Sequence, residues 1–148
     1  MMNGAGSALF VDTNVLIHAN VASSPLYNVA QQVILDYGGT GSQLWISRQV
    51  LREYLAALTR PQAYTNPIPV ANLVPDITRF EAEFQVAEDN FQVTNNLLTL
   101  VSQIAIGGKH IHDANIVATM QAYGITRLLT ENTVDFKSFS HLITVIPL

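Results

Sequence analysis

Four carboxylates stand out in a chain with few charges to spare. Only 12% of its residues are charged, and Asp12, Glu53, Asp113 and Asp135 each lie beside an apolar run or a turn. Asp113 sits in Ile111–Gly124, IHDANIVATMQAYG. There Ala114, Ile116, Val117 and Met120 recur at the spacing of an amphipathic helix. Asp113 shares that apolar face, and a carboxylate taken out of water needs compensation. A backbone cap, a basic side chain or a metal ion would each supply it. An acid early in a helix equally suits capping and the positive end of the dipole.

Several carboxylates held together repel one another unless a cation compensates. All-oxygen ligand sets suit hard ions such as Mg²⁺ or Mn²⁺. Such an ion acidifies water and steadies the leaving oxygen of a phosphodiester. The chemistry implied is metal-dependent hydrolysis of a nucleic-acid backbone. Asp12 and Asp113 are assigned as ligands. Glu53 is assigned as a ligand through water, or as the group that orients the attacking water. Asp12 also reads as a turn-starting Asp, Glu53 as a solvated helix residue and Asp135 as a cap. Thr13, Asn14 and Thr130 stand beside the acids, where hydroxyl and amide groups orient ligands. Arg48 and Arg52, one helical turn apart, are candidates for contacting the phosphates of that nucleic-acid backbone, although a solvated face explains them too. His110 and His112 precede Asp113 as H-x-H-D, but imidazole is not the ligand Mg²⁺ prefers.

Positioning these residues needs strands that end at one edge. Ala8–Val11 reads as a buried strand with Asp12 at its carboxyl end. Leu26, Val29, Ala30, Val33, Ile34 and Tyr37 form a helical stripe that starts near Pro25 and stops at Gly38, Gly39 and Gly41. Leu44–Ile46 is a second strand, and Ser47 caps the helix Arg48–Thr59, with Glu53 on the flank of its buried face. Pro61–Pro69 is a loop. A helix over Pro75–Glu83, a strand over Phe84–Ala87 and a helix over Thr94–Ile106 follow. After the helix Ile111–Tyr123 come a strand near Arg127–Leu129, the turn Thr130–Phe136 and a last strand, Leu142–Ile146. Strands alternating with helices predict an α/β fold with a mainly parallel sheet, which binds ligands beyond the carboxyl ends of its strands.

At 148 residues, 49% hydrophobic, the expectation is one domain spanning residues 1–148. A net charge of −4 argues against a broad basic surface for duplex DNA, yet leaves room for a local phosphate site. With no cysteine, disulfides and thiolate metal sites are excluded. The start MMNGAGSALFVD lacks a basic, then apolar leader, and no apolar run reaches the roughly 20 residues of a membrane span. A cytoplasmic protein is expected.

The segments FVDTNVLIH, SRQVLREYL, HDANIVATMQAYG and LLTENTVDF, closed by LITVIP, resemble the signature segments of PIN-domain ribonucleases, above all VapC-type toxins of bacterial toxin–antitoxin pairs. The resemblance runs from about Leu9 to Pro147. It implies a three-layer α/β sandwich with a five-stranded sheet and a Mg²⁺- or Mn²⁺-dependent endoribonuclease acting on RNA. The family's first three acids fall on Asp12, Glu53 and Asp113. Asn132 stands where some members carry an acid and joins Thr13, Asn14 and Thr130 as a group that supports the ligands; Asp135, the acid of the terminal Asp-Phe pair, is assigned as a further catalytic acid and metal ligand, and Asp135 or Asn132 completes the site. A cognate antitoxin and a homodimer are the partners implied. Two other readings compete: a PIN-like RNA- or protein-binding module with weak catalysis, and a phosphoaspartate protein. The last would carry D-x-D, where this chain has Asp12-Thr13-Asn14.

Overall fold

The apolar tetrapeptide Ala8–Val11 forms β1, and every residue in it is buried. Burial on both faces is what a central parallel strand demands. In the computed structural model, which describes residues 8–148, β1 is the middle strand of a five-stranded sheet ordered β3-β2-β1-β4-β5. The start of the chain, read above for a leader, lies outside the described residues in its first seven positions.

The elements follow as β1, α1 (Thr13–Asn20), α2 (Tyr27–Gly39), β2 (Gln43–Ser47), α3 (Arg48–Leu58), α4 (Val70–Glu83), β3 (Gln85–Ala87), α5 (Phe91–Gln103), α6 (His110–Ala122), β4 (Arg127–Thr130), a 3-10 helix (Thr133–Phe139) and β5 (Thr144–Pro147). All strand pairs are parallel, so all carboxyl ends face one edge. The chain builds β1, β2 and β3 outward in one direction, then crosses to place β4 and β5 on the other side of β1. That reversal, between β1 and β4, is where open α/β sheets form their crevice.

Several elements depart from the periodicity. Thr13–Ile17 continues directly into α1, because Asp12 accepts a hydrogen bond from Thr13 N–H at 2.8 Å and caps the helix. Helix α2 runs through Gly38 and Gly39, and the chain turns at Gly41, whose φ of +91° suits glycine. Its stripe is shallow: only Ala30 is fully buried, and Val29 is exposed. Helix α4 begins five residues before Pro75 and keeps that proline inside. The missing backbone donor is tolerated because Leu73 and Phe80 are buried on either side of it. Helix α5 starts three residues early, since Asn90 caps it by accepting from Val93 N–H at 3.2 Å. The stretch Thr133–Phe139 winds as a 3-10 helix, and this delays the last strand to Thr144. Ser47 does cap α3, accepting from Val50 N–H at 3.3 Å, and Gly124 ends the α6 turn at φ +68°.

Helix α6 is not the one-sided helix its spacing predicts. Ala114 and Ile116 to Met120 are all buried, so its middle is enclosed on most sides. It packs most extensively on α5 and also touches the 3-10 helix. Asp113 lies outside this buried run, in the first turn, and is only partly exposed.

Candidate active site

Asp12 leaves β1 at the sheet's reversal point, and the neighbouring strand reaches it at once. Thr130, the last residue of β4, donates its hydroxyl to Asp12 Oδ2 at 2.8 Å. Asn14 Nδ2 donates to the same oxygen at 3.2 Å and to Thr130 Oγ1 at 3.2 Å. Asn14 Oδ1 in turn accepts from Glu131 N–H at 3.0 Å. Asn132 N–H donates to Thr130 Oγ1 at 3.0 Å. One carboxylate therefore ties the ends of β1 and β4 to the loop beyond. Among the described residues no basic side chain is a partner of this carboxylate.

Glu53 projects from α3 toward the same place. Its Oε1 accepts from Thr13 Oγ1 at 2.8 Å and its Oε2 from Gln49 Nε2 at 3.0 Å. Both oxygens are thus held. Asp113 enters from α6, with His110 Nδ1 at 3.2 Å from its Oδ2. It does not cap its own helix; Lys109 occupies the cap position without a side-chain hydrogen bond.

The three acids feel one another. Burial pushes the Asp12 carboxyl up to about 6; the Thr130 and Thr13 hydrogen bonds oppose this, and the charges of Glu53 and Asp113 add to it. Burial also raises Asp113, against the hydrogen bond from His110, and Asp135 and Glu53 raise it further. Asp135, on the 3-10 helix, thus acts on Asp113 electrostatically.

Asp12, Thr13, Asn14, Glu53, Asp113 and Asn132 line a cleft of about 760 Å³. Asp135 is not on that wall, whereas Asn132 is. Among the described residues no three carboxylate or imidazole groups already close into a metal cage. The donor chemistry nevertheless fits a hard divalent cation: oxygen ligands, and a buried acid whose ionisation is opposed by two acidic neighbours. Asp12 and Asp113 are the side chains that would hold it, with Glu53 beside them.

The two arginines separate. Arg52 lines the cleft and pairs with Asp89 at 3.3 Å, while Arg48 is engaged by Glu81 and Glu88 and lies off its wall. His112 is on the cleft wall, and its carbonyl accepts from Gln49 Nε2 at 2.8 Å.

Sequence reading missed several residues. Gln49 is buried and joins Glu53, the His112 carbonyl and Asn115, whose Nδ2 donates to Gln49 Oε1 at 2.7 Å. Its position one helical turn before Glu53 was the available signal. His18, also buried, contacts Ser24 Oγ at 2.6 Å and Glu131 Oε1 at 3.0 Å, pinning the loop that carries Asn132. Arg60 and Lys109 complete the cleft wall.

This sheet order, with acids gathered at the reversal point, defines the class. The chain belongs to the PIN domain family, whose profile matches residues 9–142. It is 26% identical over 133 residues to ribonuclease VapC24 of Mycobacterium tuberculosis, which covers 88% of this chain and 90% of that protein. Its fold matches VapBC-1 from nontypeable Haemophilus influenzae with a TM-score of 0.65 at 17% identity, covering 95% of this chain and 97% of that one. A toxin–antitoxin complex from Klebsiella pneumoniae matches with a TM-score of 0.62 at 22% identity, covering 95% and 96%. VapC20 of M. tuberculosis, described as a sarcin–ricin loop cleaving toxin, matches at 0.61 and 17%, covering 81% and 86%.

Proposed function

We propose that this chain is a metal-dependent endoribonuclease of the VapC type. The observation that carries the reading is the convergence of Asp12, Glu53 and Asp113, from three separate elements, on one cleft at the carboxyl edge of the sheet. Kinship with a protein named as a ribonuclease supports RNA as the substrate.

Asp12 and Asp113 would hold Mg²⁺ or Mn²⁺, which supplies positive charge and Lewis acidity to a phosphodiester. Thr130, Asn14 and the Thr13 N–H fix the Asp12 carboxylate, so no reorientation is needed when the site loads. Glu53 is oriented by Thr13 and Gln49 and is the group placed to align a water and accept its proton. Asp135 adds negative potential at Asp113.

The test is cleavage of a panel of structured RNAs with Mg²⁺, Mn²⁺ or EDTA, by wild type and Asp113→Asn in parallel. Cutting that needs metal and falls at least a hundredfold in the variant is expected. Equal cutting by both proteins would refute the assignment. A second reading, a binding module with weak catalysis, is favoured by one feature: the cleft wall carries Asn132, while Asp135 stands off it. A folded wild type that binds RNA without cutting it would select that reading.

Toxin–antitoxin complexes among the fold's neighbours support a cognate antitoxin as a partner. A homodimer belongs to the same proposal, with the exposed Val29, Leu35, Val70 and Val74 as apolar surface for either contact. Among the described residues no helix is long and apolar enough to cross a membrane. An RNA substrate would place the protein in the cytoplasm.

A further inference from the structure

The chain has seven Lys and Arg residues against eleven Asp and Glu. Three of the seven, Arg52, Arg60 and Lys109, line the cleft that holds the acids. Elsewhere Arg48 is engaged by Glu81 and Glu88, and Arg79 by Asp76 and Glu83. Among the described residues no carboxylate forms an ion pair with Arg60 or Lys109. Arg60 uses only its Nε, donating to the Ala56 carbonyl at 3.0 Å. Arg52 has one exposed pair, Asp89 at 3.3 Å, which a phosphate can replace at small cost.

Spacing gives these cations a direction. Arg52, Ala56 and Arg60 follow one another at intervals of four along α3 and its exit, and all three line the cleft. Eight residues at helical rise span about 12 Å. Arg52 stands next to Glu53, at the acidic end, and Arg60 marks the far end. Ala56 and Ala57 leave the floor between them low. Lys109 lies on the α6 side, ahead of Asp113.

We infer that Arg52, Arg60 and Lys109 form a phosphate track that draws a single-stranded RNA segment along α3 into the acidic site. This rests on the nuclease reading and extends it to the side chains that hold the strand's phosphates outside the acidic centre. Two cations about 12 Å apart serve separate phosphates along a strand. Among the described residues no Phe, Tyr or Trp lines the cleft, so the grip falls on the backbone charges rather than on base stacking. The excess of acids over the rest of the surface disfavours broad docking of a duplex.

The test uses the full chain carrying Asp113→Asn and a fluorescently labelled short single-stranded RNA. Anisotropy titrations between about 50 and 200 mM salt give the affinity and its salt dependence. Arg60→Gln and Lys109→Gln should each weaken binding about three- to tenfold and reduce the slope of log affinity against log salt by about 0.7. Arg48→Gln, off the cleft, should change neither. Melting curves establish that each variant is folded. Unchanged slopes in both variants, while the parent with Asp113 cleaves RNA, overturn the track and leave the nuclease standing. Slope losses as expected, with a parent that cuts nothing, support the track and overturn the nuclease. RNA that fails to bind at the lowest salt overturns the track. So does poly-glutamate bound in its place through the same residues, which would identify an acidic polypeptide as the occupant.

Discussion

Asp12 is the residue on which the site's energetics turn. Its carboxylate is buried, hydrogen-bonded by three neighbours and, among the described residues, unpaired with any cationic side chain. Folding raises its pKa from 3.8 to about 6, so the folded protein holds the proton more tightly than the unfolded chain. Stability therefore falls as pH rises through that window, and the full cost stands above it. With about 1.4 kcal/mol for each tenfold change in proton affinity, the cost is roughly 3 kcal/mol. Asp12→Asn has no such titration. In chelator, wild-type stability relative to Asp12→Asn should rise by up to about 3 kcal/mol between about pH 7 and about pH 4. Denaturant melts at several pH values measure this, and a constant difference would remove Asp12 as the strained acid.

At the scale of elements, the site depends on α3 and α6 keeping a fixed separation. Ser47 starts α3, and Val50, Leu51, Tyr54 and Leu58 bury one face. Tyr54 also donates its hydroxyl to Asp76 of α4 at 2.7 Å. Gln49 is the polar rivet between α3 and α6, because one side chain serves Glu53, the His112 carbonyl and Asn115. Gln49→Leu preserves bulk, keeps the position apolar where Gln49 itself is buried, and removes all three hydrogen bonds to the partly buried groups it joins. It should cost about 2 kcal/mol in urea denaturation and raise the RNA-cleavage KM less than it lowers kcat. Wild-type stability in that variant would show that the two helices are held by packing alone. The His18 contacts with Ser24 and Glu131 perform the same office for the loop beyond β4.

For the whole molecule, the sheet order decides where chemistry can occur. Crossing from β3 to β4 puts the carboxyl ends of β1 and β4 side by side, and Thr130 meets Asp12 across that join. The acids come from residues 12, 53 and 113, and only this topology gathers them. The charges of Glu53 and Asp113 oppose ionisation of Asp12 in the folded state, and a bound cation would relieve that opposition. Divalent ion should therefore raise the melting temperature of the wild type and leave that of Asp12→Asn unmoved. An excess of a hundredfold over Kd corresponds to about 2.7 kcal/mol. A wild type that melts alike in Mg²⁺, Mn²⁺ and EDTA would count against the ion.

The local grammar was legible in the sequence. Apolar runs bounded by Asp12 and Ser47 mark strands that end at helix caps, because capping is decided by a residue and its near neighbours. Alternating elements then fix a parallel α/β sheet, and short acidic motifs point to its carboxyl edge. Pro75 and the glycines misled the reading of element ends, since burial of Leu73 and Phe80 outweighs a local breaker. Only the tertiary structure decided which charges share the cleft. Arg48 and Arg52 sit one turn apart, yet one is bound by Glu81 and Glu88 off the cleft while the other, paired with Asp89, lines it. Asn132 and Asp135 are separated in the same way. Gln49, Arg60 and Lys109 carried no motif, because their roles depend on partners more than forty residues away or on a wall shared by two helices. Spacing along a chain sets the direction of a side chain; what it meets there is set by packing of remote segments.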